Sequence, residues 1–380
     1  MRRTVLCLAA ALAVATPSYA QFGAIGKIKN RVDQARKISE MHISDKDEQA
    51  IGAEVSRQLI SMLGVHQDPA ITKYVTLVGT VLAQASERPT LDWRFIVIDT
   101  DGVNAYAAPG GYIHITRGAL ALITSEAELA GVLAHEIGHV TERHSIHAIQ
   151  RSKGLSIASD EFSAQGGLMT SAIGKLAEKG TEILLFNEFN RDQEMESDKV
   201  GLQLASKVGY SPAGLTSFLN HLAERNKDRK EPNGLFATHP QLKERIETNG
   251  KTTREKKLTA TAMVEARYAS SVKVQAAPMA AIVMVPRGAR GAAAESTEAS
   301  NKDEGKEEKA EEPKKKRGFG LGGLGSTLTR GKQAESTQAS ASAGGRMVGP
   351  DTNAVGGTNR NPVRVTVTPA EIAEFKKGIA

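Results

Sequence analysis

The sequence predicts an α+β fold, mainly helical, followed by a tail without a core. Three observations carry this: helical apolar spacing in several long segments, two short strand-like runs, and a shift in composition after about residue 287. Residues 24 to 64 read as helix, with Ile51, Val55, Leu59 and Leu63 four residues apart, and "ITKYVTLVGTVLAQAS" continues in the same manner. In "LDWRFIVID" the period changes, and Trp93, Phe95, Val97 and the neighbouring isoleucines predict a largely buried strand. A second strand is expected in "GYIHITRG", after the turn signal Pro109-Gly110-Gly111. Ser125 with Glu128 three residues on forms a capping box that starts one long helix through "SEAELAGVLAHEIGHVTERHSIHAI". Residues 21–255 make one domain with an N-terminal helical segment, and 256–287 extend it with helix or strand. Residues 288–361 are small, polar, charged and glycine-rich, and their composition predicts disorder. At 362–380 a short strand, "VRVTV", and a helix opened by the capping box Thr368-Pro369-Ala370-Glu371 are expected.

Residues 1–20 run from a basic start through an apolar stretch to Ser18-Tyr19-Ala20, the pattern of a cleaved export signal, which places the mature chain in the periplasm. Cys7, the only cysteine, lies inside this leader, so thiol catalysis and cysteine-ligated zinc are excluded from the mature chain. The formal charge of +6 includes Arg2 and Arg3; without them it is +4, with acids and bases mixed along the chain, and no nucleic-acid partner is expected. After the leader no apolar run approaches the roughly 20 residues of a membrane span. "MAAIVMV", between Pro278 and Pro286, is the longest candidate.

"LAGVLAHEIGHVTERHSIHA", residues 129–148, holds four of the nine histidines. On a helix, His135 and His139 are one turn apart and can share a metal ion, with Glu136 at the rim of their face. His144 is about half a turn out of phase with His135 and faces away, and His147 lies too far along the axis to reach the same ion. A third ligand must come from His, Glu or Asp. Glu142 and Ser145 stand where H-E-x-x-H-x-x-G-x-x-H needs glycine and histidine, which excludes that pattern. "NRDQEMESDKVGLQLASKVG" offers Glu194 as ligand, with Asp198 one turn on to accept the second N–H of His135. The alternative is an acidic, solvated helix face, as expected for Asp192 and Glu196.

Four stretches, "NAYAAPGGYIHITRGAL", "SEAELAGVLAHEIGHVTERHS", "NRDQEMESDKVG" and "FATHPQLKERI", occur in the order and style of the HtpX-like and CAAX prenyl protease family of zinc metallopeptidases. The chain resembles the soluble periplasmic branch of that family over about residues 40–250. The resemblance implies a zincin-type, gluzincin catalytic domain with a small twisted sheet, and one Zn²⁺ per chain. It implies His135, His139 and Glu194 as metal ligands, Glu136 as general base and Asp198 behind His135. The "THP" segment with Arg245 matches a family segment near the metal. Ser197 and Asn190 replace a usual alanine and serine, and the branch's downstream tetratricopeptide repeats have no counterpart in 288–361.

The implied activity is hydrolysis of peptide bonds in exported, misfolded or unassembled proteins, with peripheral outer-membrane association or an envelope assembly partner. His239 and Arg245 are the candidate donors to the oxyanion; the alternative for each is a surface residue beyond a proline-bounded turn. His239 could instead occupy the water position and mask the metal, which would suit a chaperone-like assembly factor. "GGYIHI" is expected to offer a sheet edge to an extended peptide, with Gly110 and Gly111 allowing close approach or simply making a turn. Asn104 is a substrate-backbone candidate by resemblance alone.

Overall fold

The computed structural model describes residues 43–152, 168, 170–187, 189–228, 238–275 and 361–379. The expected leader, the predicted helix before residue 43, residues 276–287 and all but the last residue of the 288–361 tail lie outside the described residues. Helix α1 spans Asp45–Leu63, with Ser44 accepting from the Asp47 amide, and buries Ile51, Val55, Leu59 and Leu63. Helix α2 spans Pro69–Ala85; Asp68 caps it, and Pro69 needs no amide partner in the first turn.

Strands β1 (Arg94–Ile98), β2 (Ala105–Ala108) and β3 (Tyr112–Thr116) form a sheet of order β1-β3-β2. β1 pairs parallel to β3 and β2 antiparallel to it, with Tyr106 opposite His114. Phe95, Val97, Ile113 and Ile115 join one core with α2, and Ile96, Ile98 and Tyr112 join a second core with α1. Burial on both faces explains why "RFIVI" reads as a continuous apolar run rather than an alternation. β2 is too short and too small in its side chains to have been anticipated. It makes "GGYIHI" the central strand, not the edge, so the expected peptide-binding edge cannot be β3.

Pro109–Gly111 form a 3₁₀ turn between β2 and β3, with Gly110 at φ 71° and Gly111 at φ 99°. The close approach that Gly110 permits is to α1, not to a ligand: a Cβ there would lie 2.5 Å from Cα of Gln49. The Gly110 amide donates to Glu48 Oε1 at 3.0 Å. Gly110 thus makes a turn packed on α1, whereas a Cβ on Gly111 would face the backbone of Asp92 and Trp93.

After the short α3 (Arg117–Leu122) comes α4 (Glu126–Thr141). Ser125 accepts from the Glu128 amide as predicted, but the Glu128 carboxylate turns to the amide and hydroxyl of Thr124, so the box is closed one residue earlier. The predicted single helix is two: Arg143 takes a left-handed conformation, φ 55°, and α5 (His144–Arg151) leaves in a new direction. Helices α6 (Thr170–Phe186), α7 (Arg191–Lys207), α8 (Ala213–Arg225), α9 (Leu242–Glu255) and α10 (Glu265–Ser271) follow. The last helix, α11 (Pro369–Lys377), has both arms of the capping box between Thr368 and Glu371. Residues 363–367 form no strand. Their alternation survives as burial, with Val365 and Val367 half-buried and Arg364 and Thr366 exposed. Among the described residues no helix is long and apolar enough to cross a membrane.

Candidate active site

α4 and α7 cross at small residues. A Cβ on Gly201 would lie 3.0 Å from the backbone nitrogen of His135, and one on Gly138 would lie 3.1 Å from Cα of Ser197. This close crossing lets side chains four residues apart on each helix meet in the space between. His135 and His139 project from α4, Glu194 and Asp198 from α7, and His239 enters from the segment before α9. All are buried.

Four atoms converge. His135 Nε2 lies 3.1 Å from His139 Nε2 and 3.3 Å from His239 Nδ1. Glu194 Oε1 lies 2.9 Å from His239 Nδ1 and 3.4 Å from His139 Nε2. Ligands about 2.0–2.1 Å from a tetrahedral zinc stand roughly 3.3 Å from one another, so these spacings fit such an ion. The outer ring nitrogens are already engaged. His135 Nδ1 donates to Asp198 Oδ1 at 2.8 Å. His139 Nδ1 lies 3.0 Å from Nδ1 of His144, whose Nε2 lies 3.2 Å from Glu196 Oε2. With Nδ1–H as the donor on each ring, both Nε2 atoms present lone pairs to the same point. Facing lone pairs repel unless a proton or cation lies between them, and a metal meets that need.

His144 was expected to face away. The break at Arg143 swings it back, so it supports His139 from behind without entering the four-donor group. Phe189 was not anticipated at all; its ring stacks on His139 at 4.2 Å and 29°, and its amide donates to the Thr238 carbonyl. No spacing in the sequence marks a lone phenylalanine for this position.

Arg245 lies behind the ligands. Its Nε and Nη2 donate to the two oxygens of Asp198 at 2.8 and 2.6 Å. Nη1 is 2.7 Å from Glu194 Oε2, off the hydrogen-bonding direction, so this is an ion contact that leaves that oxygen without a hydrogen bond. The expected oxyanion donor thus has its guanidinium committed to two carboxylates. Burial alone would raise the carboxyl pKa of Asp198, yet Arg245 and His135 hold it at about 2. Burial likewise opposes ionisation of Glu194, and His239 and Arg245 hold it well below the usual carboxylate range. Burial pushes the His139 imidazole well below its ordinary pKa, as suits a neutral ligand.

Glu136 differs from every other acid here. Fully buried, it has no hydrogen-bond partner on either oxygen among the described residues, and its nearest base there, His239 Nε2, is 3.9 Å away. Burial raises its pKa, with His239 and His135 pulling the other way. A buried carboxyl left unpaired is costly, and such groups cluster where chemistry needs them. Asn104 is buried beside the same wall: its Oδ1 accepts from the Ala105 amide at 2.8 Å and from Thr238 Oγ1 at 3.4 Å.

Residues 69–252 match the model of peptidase family M48, and all four motif stretches fall inside that range. The β-barrel assembly-enhancing protease of Yersinia pestis is 30% identical over 208 residues, covering 52% of this chain and 42% of its own length. Metalloprotease YcaL of Escherichia coli is 32% identical over 158 residues, covering 40% of this chain and 59% of its own length. The mitochondrial metalloendopeptidase OMA1 of Schizosaccharomyces pombe is 28% identical over 202 residues, 52% of this chain and 59% of its own length. The chain spans less than half the length of the Yersinia relative. Residues 69–252, where the motifs, the paired helices and the family match coincide, are a peptidase family M48 domain.

Proposed function

We propose that the chain is a zinc-dependent endopeptidase of the cell envelope that cleaves exported, misfolded or unassembled polypeptides. One observation carries the reading: a buried set of four converging donors beside a carboxylate, Glu136, that has no hydrogen-bond partner among the described residues. His135, His139 and Glu194 would hold the ion. When bound, zinc supplies Lewis acidity, acidifying water and polarising a carbonyl. Glu136 then accepts the proton of the attacking water and returns it to the leaving amine. Asp198 fixes the tautomer of His135, and His144 that of His139. Arg245 acts as a positioning residue through Asp198 and Glu194.

An extended substrate would add to the outer edge of β2 instead of β3. On that edge the Ala107 carbonyl accepts from Ser145 Oγ at 2.7 Å and the Ala105 amide donates to Asn104 Oδ1 at 2.8 Å. Side chains that occupy an edge in this way protect it from indiscriminate pairing, and a peptide would displace them. The envelope location rests on the leader-like residues 1–20 and on the named role of the assembly-enhancing relatives in β-barrel assembly. A peripheral outer-membrane or assembly partner belongs to the same proposal. The test is casein cleavage by the purified chain, lost on chelation and restored by one equivalent of zinc. Cleavage that survives complete metal removal would refute it.

His239 would mask the resting site as a fourth donor, a reading supported by its Nδ1 lying 3.3 Å from His135 Nε2 and 2.9 Å from Glu194 Oε1. His239→Ala is expected to raise casein cleavage. A tenfold rise would correspond to relief of about 1.4 kcal/mol of masking. A fall in rate with zinc retained would assign His239 to the oxyanion instead. No change in either rate or zinc affinity would remove it from the site.

A further inference from the structure

We propose that residues 361–379 are a tethered ligand of the peptidase domain, and that their docking clamps the first turn of the active-site helix α4. The segment runs beside α2 from end to end. Gln67 Nε2 donates to the Asn361 carbonyl at 2.9 Å, Lys73 Nζ to Glu371 Oε1 at 2.5 Å, and Lys376 Nζ to Gln84 Oε1 at 3.3 Å. The first and last of these polar contacts are exposed and the Lys73–Glu371 pair is only part-buried, and such pairs add little. The apolar residues decide the docking: Ile372 and Ile379 are buried, and Val367 and Phe375 pack against the main core. Their spacing places Ile372, Phe375 and Ile379 on one side of the helix and its exit, as an amphipathic helix laid in a groove requires.

Arg267, on α10, reads the end of this helix. Its guanidinium lies 4.1 Å over the Phe375 ring and its Nη1 donates to the Phe375 carbonyl at 3.2 Å. The same guanidinium donates to Glu126 through Nε, at 2.7 Å, and through Nη2. Glu126 is the first residue of α4, and it also accepts from the hydroxyls of Tyr74 and Tyr210 at 2.5 Å each. Tyr74 in turn packs edge-on against Phe375, 6.0 Å between centroids. A docked α11 thus holds Arg267 and Tyr74 in the arrangement that anchors Glu126, nine residues ahead of His135. Gly378 lies against the same guanidinium: a Cβ there would lie 2.1 Å from Arg267 Nη1, so a larger residue would displace the arginine tip. Residues 276–360 connect α10's end to this segment, and at about 3.3–3.6 Å per residue they are long enough for it to leave and return while the domain stays folded.

The experiment inserts a site-specific protease sequence between residues 300 and 340 of the full chain and cleaves it. The fragment holding 361–379 is expected to co-elute with the domain at micromolar concentration, and excess synthetic peptide 361–379 should displace it. The same peptide carrying Phe375→Ala should fail to do so. After displacement and removal of peptide, amide exchange at Leu129–Val132 should accelerate at least tenfold. Immediate separation of the fragment, or equal displacement by the Phe375→Ala peptide, would overturn the tethered-ligand reading. Unchanged exchange in α4 would overturn the clamp. Light scattering of the uncleaved chain should give a monomer; a dimer that dissociates on cleavage would show that the groove is filled by a second copy and overturn docking within one chain.

Discussion

Glu136→Gln is expected to lower casein cleavage by about 10²–10⁴-fold while zinc affinity and folding stay at the wild-type level. The two halves of this result have separate causes. Glu136 is not among the four converging donors, so its loss removes no ligand. Neither oxygen makes a hydrogen bond among the described residues, so the isosteric amide breaks no network there. Removing an unpaired buried charge relieves a desolvation penalty, so stability should hold or rise slightly. Proton transfer is what disappears, because an amide cannot accept the water proton. Chelator competition for zinc, thermal unfolding and casein turnover measure the three quantities independently. Glu194→Gln is the control, since it removes a candidate ligand and should lose zinc together with activity. Normal cleavage by Glu136→Gln would reject the peptidase reading outright.

How much of this site was legible depends on how local each relation is. His135 and His139 come together because four residues make one helical turn, and nothing distant can alter that. The turn at Pro109-Gly110-Gly111 was readable for the same reason, but what packs on it was not: α1 lies some sixty residues earlier. His144 was misplaced by a single backbone event. Arg143 adopts a left-handed conformation with no glycine to announce it, and the assumption of one continuous helix then turned every later side chain by the wrong angle. β2 escaped notice because "AYAA" has neither β-branched residues nor alternation, and without it β3 looked like an edge. Phe189 and the commitment of Arg245 to two carboxylates depend on the crossing of α4, α7 and α9, which only tertiary packing decides.

Arg245→Met is expected to destabilise the metal-free protein by about 3–5 kcal/mol. The side chain is 1% exposed, and its guanidinium holds both oxygens of Asp198 while facing Glu194. Methionine fills part of the volume but leaves two buried carboxylates without their cation. Those carboxylates must then be desolvated unpaired or take up protons, and the depressed pKa of Asp198 rises back toward or above its ordinary value. Arg245→Lys should recover little, since a single ammonium cannot reproduce the two-point grip on Asp198. With zinc present the loss should shrink, because the metal's charge takes over part of the compensation of Glu194. Zinc affinity itself should fall about 10–100-fold, as expected when the carboxylate orienting a ligand histidine loses its own support. In the double variant Arg245→Met with Asp198→Asn, the two costs should be far from additive, because the neutral amide no longer needs the cation. Urea unfolding with and without zinc, across the two singles and the double, measures each of these quantities. A loss below about 1 kcal/mol in the metal-free single variant would mean that water or another cation reaches the carboxylates, and that Arg245 is not the residue that holds the ligands in place.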